Sequence, residues 1–141
     1  MQPMLEVCSA VTPSARQRFD EQLDRVLAEM PPMIHKLLEE VPLHVDDYPS
    51  DDVIEHFDLE YRDDLCGLHD GVPLTKRSIE DPWRMPDRVT IYREGIVAAA
   101  ADRHGRVRLS RLRKEIRITI LHELGHHHGL TEEELKELGY Q

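Results

Sequence analysis

Apolar positions along the chain alternate between helical and strand spacing, and the changes of period mark the elements. Phe19, Leu23, Val26, Leu27 and Met30 recur three or four residues apart, which predicts a helix, and Ser14 with Gln17 reads as a capping box at its start. Pro31 and Pro32 end that helix. A second can begin at Pro32, because a first helical turn tolerates proline, and carry Met33, Ile34, Leu37 and Leu38 inward as far as Pro42. Val41, Leu43 and Val45 then alternate with polar or turn-forming neighbours and predict a strand. Leu65 to Asp70 predicts a short strand turning at Gly71, Val72 and Pro73. Arg88 to Arg93, with Val89, Ile91 and the β-favouring Thr90 and Tyr92, gives the clearest strand pattern. The alanine-rich run from Gly95 to Arg103 predicts a helix stopped near Gly105.

The longest pattern spans about Ser110 to His128. Leu109, Leu112, Ile116, Ile120 and Leu124 form one stripe, while Ile118 and Leu121 lie off it, so the second half of this helix is expected to be buried on more than one face. Gly129 ends it, and Thr131 with Glu134 reads as a second capping box, opening a last helix with Leu135 and Leu138. Met1 to Pro13 shows neither period. The expected organisation is a flexible N-terminal arm over 1–13 followed by one domain over 14–141. Several helices around at least three short strands imply an α+β fold, with a small sheet packed against the helices.

Composition narrows the chemistry. A chain of 141 residues holds about one domain, and with only 5% aromatic residues its core must be largely aliphatic. A formal charge of −10 repels phosphate and anionic lipid, which argues against nucleic acid and membrane as main partners. No run approaches the roughly 20 apolar residues that span a bilayer, and Met1 to Ala10 lacks a leader pattern, so a cytoplasmic location is expected. Cys8 and Cys66 are too few for a disulfide scaffold. The acidic stretch from Asp51 to Asp64 reads as a solvated loop or irregular helix. Seven cations from Arg103 to Arg117 read as a helix flank paired with those acidic loops, or less simply as a seat for an acidic partner.

One constellation carries chemistry. In His122, Glu123, Leu124, Gly125, His126, helical geometry puts the two imidazoles on one face, four residues apart, with Glu123 one step round on the open side of any ion they share. Zinc suits neutral imidazole and carboxylate donors, and a catalytic site keeps one position for water, with an adjacent carboxylate to take its proton. With 9 His and 15 Glu in the chain, chance supplies roughly 0.06 such matches, and the placement on a buried helix makes the pattern more specific. A third ligand is still required. Gly129 permits a reversal of the chain, and Glu132 falls in the first turn beyond it; Glu133 and Glu134 are rivals, Glu134 being engaged as the partner of Thr131. His127 and His128 project away from His126 on an ideal helix, and Cys66 and His69 would point to opposite faces of a strand. Tyr92, His127 and Tyr140 are candidates for stabilising an oxyanion.

The run HELGHHHGLTE, His122 to Glu132, resembles the HExxHxxGxxD signature of Asp-zincins, and the wider chain is similar to the minimal zincin-like metallopeptidases of bacteria. The likeness includes GLHDGVPLT from Gly67 to Thr75, PDRVTIYR from Pro86 to Arg93, and the closing ELGY. It implies a compact zincin-like fold, one catalytic zinc held by His122, His126 and the acid at Glu132, base catalysis by Glu123, and a peptide or protein substrate. Glutamate stands here where the signature has aspartate. The alternative expectation is a non-catalytic zinc module that binds a protein partner.

Overall fold

The computed structural model describes residues 4–6, 11–70 and 88–127, together with Glu133. The first helix, α1 (Pro13–Glu29), starts one residue before the expected capping box. Thr12, not Ser14, is the cap: its side chain accepts from the amide of Ala15 at 3.3 Å, and Pro13 occupies the first turn, where its missing N–H costs nothing. Ala15, Phe19, Leu23 and Val26 make its buried face. After Met30 the chain passes directly into α2 (Pro32–Glu40), which buries Ile34.

Three strands form the main sheet. β2 (Leu43–Asp46) lies parallel to β4 (Arg88–Tyr92), and β3 (Gly67–Asp70) lies antiparallel to β4, giving the order β2-β4-β3. Between β2 and β3 the acidic stretch folds into a short helix, α3 (Asp51–His56), and a single 3-10 turn (Arg62–Asp64), neither of which buries any residue. The sheet, with helices packed on it, is the α+β architecture the patterning implies. The turn expected at Gly71 to Pro73, the irregular run to Asp87, and the last helix apart from Glu133 lie outside the described residues.

Two elements depart from the sequence expectation. α4 (Arg93–Ala100) follows β4 without a break and stops three residues short of Arg103. The Asp102 carboxylate accepts the amides of His104 at 2.8 Å and Arg106 at 3.1 Å, a local side-chain turn that competes with helix continuation. Those two amides also hold the Asp102 carboxyl below its ordinary range. Gly105 belongs to this turn instead of capping the helix. The turn leads into β5 (Arg106–Arg108), which pairs antiparallel with β1 (Met4–Glu6). Three residues of the expected flexible arm are therefore in a strand. With so few residues, only Val107 is left to mark β5 as an inward position, and a period of two cannot be read from it.

The helix α5 (Leu109–His127) packs on β3 and β4 of the sheet and against α1 and α4. Leu112, Ile116 and Ile120 are fully buried, with Leu121 and Leu124 nearly so, and they meet Phe19, Val89, Ile91 and Ile96 in one cluster. Of the two positions off the main stripe, Leu121 is buried and Ile118 half-buried, so the second face expected of this helix is covered at Leu121 and only partly at Ile118. Burying an aliphatic side chain of this size contributes roughly 1.5–3 kcal/mol, so the helix that presents the His-Glu-His run is among the most firmly anchored parts of the chain. No described helix is long and apolar enough to cross a membrane.

Candidate metal centre

Near the C-terminal end of α5, one helical turn brings His122 and His126 together. Their Nε2 atoms stand 3.0 Å apart, with ring centroids separated by 4.6 Å and planes at 79°. Two imidazoles bound to one tetrahedral ion at about 2.0–2.1 Å would hold these nitrogens about 3.3 Å apart, close to the spacing found. At this distance one ring's N–H can donate to the other's nitrogen, and with both ring protons on Nδ1 the same two atoms would face a shared cation. The Glu123 carboxylate completes the group: its ligand atom and those of the two histidines all lie within 4.8 Å of one another. Two imidazole nitrogens are donors that zinc accepts without redox chemistry, and the Glu123 carboxylate is the acid that stands beside them.

The sheet sets the position of Glu123 through a glycine. A Cβ at Gly67 would fall 2.7 Å from Thr119 Cγ2, 3.1 Å from Glu123 Cγ and 3.2 Å from the Thr90 carbonyl oxygen. Only a residue without a side chain lets β3 come this close to α5, and the stem of Glu123 rests on its backbone. A second glycine secures the approach to β3. At Gly95 a Cβ would lie 2.0 Å from the Leu65 carbonyl oxygen, so α4 touches the chain just before the strand. There the Tyr92 amide donates to the Cys66 carbonyl at 2.8 Å, and Cys66 Sγ donates to the Gly95 carbonyl at 3.4 Å.

Strand alternation sorts the remaining candidates. Gly67 faces α5, so His69, two residues on, stands on that same face of β3, beside Val89. Sequence reasoning set His69 aside with Cys66; the structure puts it half-buried on the helix side, yet outside the His122, Glu123, His126 group. The signal for it was the shared parity of positions 67 and 69. Ile91 pairs with Gly67, so its neighbour Tyr92 faces the opposite side of the sheet and drops out as an oxyanion donor. Burial pushes the Cys66 thiol up to about 11, with Glu115 and Glu123 acting in the same direction, and Cys66 stands outside the His122, Glu123, His126 group. His127 is the last residue of α5. Glu132, Glu134, His128 and Tyr140 lie outside the described residues, and Glu133 is helical and exposed.

A helix-borne His-Glu-His cluster backed by the edge of a mixed sheet could hold a metal ion in the manner of a zincin. The chain belongs to the zincin-like metallopeptidase family, whose model matches residues 38–140. That span takes in β2, β3, β4, α4 and α5, so it covers every element that builds the cluster. A search of curated proteins finds no match to the chain. The family suggests a zinc-dependent hydrolase acting on peptides.

Proposed function

We propose that the protein hydrolyses peptide bonds with zinc held by His122 and His126, Glu132 completing the ligand set and Glu123 serving as general base. The carrying observation is the convergence of two imidazole nitrogens at 3.0 Å beside a carboxylate on a buried helix. Zinc, when bound, supplies a Lewis acid that brings the pKa of a water toward about 7 and polarises a carbonyl. The protein's own residues do the rest. The Glu123 carboxylate accepts a proton from the attacking water and returns it to the departing amine nitrogen, and the Gly67 backbone beneath its stem holds it in place. β3 ends the described sheet order, so an extended substrate running along it would gain main-chain hydrogen bonds and be aligned across the end of α5. Glu133 and Glu134 are the alternatives to Glu132 for the third ligand.

The test compares wild type with Glu123→Ala, measuring bound zinc and cleavage of a diverse peptide library on the same samples. The expected result is zinc retained and cleavage reduced about 10²–10⁴-fold. Equal cleavage by both proteins rejects Glu123 as the base. Wild type that holds zinc in a fourfold protein-ligand set and cleaves nothing is the non-catalytic binding module instead.

A further inference from the structure

The segment between β2 and β3 does work that the metal site does not absorb. Four large hydrophobic side chains are exposed among the described residues, and three of them, Tyr48 at 44%, Phe57 at 46% and Tyr61 at 61%, fall in this one segment. The other described aromatics of the Phe, Tyr and Trp type, Phe19 and Tyr92, are buried. The segment folds back on itself so that Tyr48 and Arg62 meet, and α3 between them buries nothing. Three exposed aromatic rings within fourteen residues flanking an unburied helix are the residue type enriched where one polypeptide contacts another.

Charge states which kind of partner. From Asp46 to Asp64 there are nine carboxylates and one cation, Arg62, a formal −8 in a chain whose total is −10. Asp47 is engaged by Arg16 and Arg93. The six carboxylates from Asp51 to Asp63 form no ion pair among the described residues. The basic stretch of α5 does not neutralise them as the sequence suggested: Arg111 pairs with Glu115 one turn on, and Arg113 donates to Gln22 of α1 at 2.7 Å.

The surface also contains its own example of how a cation is held there. The Arg62 guanidinium lies 4.0 Å from the centroid of the Tyr48 ring and donates to both Glu94 oxygens, at 2.7 and 3.0 Å. A ring face on one side and a carboxylate on the other is the arrangement that favours guanidinium over an uncharged group.

We infer that the aromatic and acidic surface formed by residues 48–63 is a docking site for an arginine- or lysine-rich segment of another polypeptide. The inference goes beyond the peptidase proposal and does not depend on it, since the surface lies on α3 and its flanks and uses none of the metal-cluster residues. Cationic side chains of the partner would lie over Phe57 and Tyr61 as Arg62 lies over Tyr48, with the unpaired carboxylates closing around them.

The probe is a labelled peptide of alternating Arg and Gly, with its Glu and Gly counterpart as control, followed by fluorescence anisotropy on the intact protein. The Arg peptide is expected to bind and the Glu peptide not to. Phe57→Ser/Tyr61→Ser leaves the net charge unchanged and is expected to weaken binding about tenfold, while Met33→Ser, at the fourth exposed hydrophobic position, changes nothing. Phe57→Ser alone keeps the test open should the double variant not fold: its ring meets its neighbour His56 edge-on, and a loss of about threefold is expected. Binding unchanged in either folded aromatic variant would reduce the effect to diffuse attraction by an acidic protein and overturn the inference. So would sedimentation showing that the same substitutions abolish self-association, because the occupant would then be a second copy of this chain.

Discussion

Compare the floor of the metal cluster, where β3 meets α5, with the acidic segment that leads into the same strand. The floor is built from contacts between backbone and side-chain stems: Gly67 under Thr119 and Glu123, and Gly95 against the Leu65 carbonyl. The acidic segment is fastened by ion pairs, Arg62 to Glu94 on one flank and Asp47 to Arg16 and Arg93 on the other. Close packing tolerates no added atom, and salt or moderate pH change leaves it alone. Ion pairs behave in the opposite way: they accept changes of size but answer to screening and to protonation. The contrast gives the chain a close-packed floor under the His-Glu-His cluster beside a surface whose attachments are electrostatic.

The largest effect is expected where a new atom would meet backbone. In Gly95→Ala the Cβ would sit 2.0 Å from the Leu65 oxygen and 2.7 Å from its carbonyl carbon, and neither can swing aside. A loss of about 3 kcal/mol or more in denaturant unfolding is expected, at the upper end for overpacking. A loss below about 1 kcal/mol would mean that α4 and the approach to β3 separate easily, and the floor would not be rigid.

Gly67→Ala is the next largest and should separate stability from chemistry. Its nearest obstacle, Thr119 Cγ2 at 2.7 Å, belongs to a β-branched side chain whose hydroxyl donates to the Glu115 carbonyl at 2.8 Å, so it has little freedom to turn. Stability should fall by about 1–2 kcal/mol. Cleavage under the proposed mechanism should fall further, about 10²-fold, because the Glu123 stem must shift and misplacement of a catalytic group by about 1 Å costs on that order. Thr119→Ser in the same protein removes the obstructing methyl, keeps the hydroxyl, and should restore most of the loss. No rescue would place the defect at the remaining neighbours of the new Cβ, Glu123 Cγ and the Thr90 carbonyl oxygen, and not at the Thr119 methyl.

The same contrast explains what could be read from the sequence. α1, α2, β4 and α5 were legible because apolar burial leaves a period, and the stripe of Leu112, Ile116, Ile120 and Leu124 appears in the structure as expected. The approach of His122, Glu123 and His126 was legible because helical geometry alone brings them together. β1 and β5 were not, since three-residue strands carry too few positions to show alternation. Gly67 and Gly95 were not either. A glycine that permits close approach differs from a turn glycine only in what lies opposite, and that is a tertiary fact. Charge pairing was misjudged for a related reason: Asp47 finds Arg16 and Arg93 across 31 and 46 residues, and no local spacing announces such partners.

The smallest effect belongs to the electrostatic side and turns on pH. Burial alone would raise the Asp47 carboxyl, but hydrogen bonds and charge from Arg16 and Arg93 outweigh it and hold the group below its ordinary value. A carboxyl whose folded pKa lies below its unfolded value of about 3.9 contributes stability that is fully present above that value. The contribution drains away as pH falls through the folded pKa, because the folded state must then give up paired carboxylate that the unfolded chain has already protonated. Asp47→Asn should therefore cost about 1–2 kcal/mol near pH 7, and the difference from wild type should shrink below about pH 4. The Gly67→Ala deficit, arising from packing, should keep its size across the same range. Denaturant midpoints at a series of pH values distinguish the two, and an Asp47→Asn deficit that stays constant into acid would show that the residue is held by shape and not by its charge.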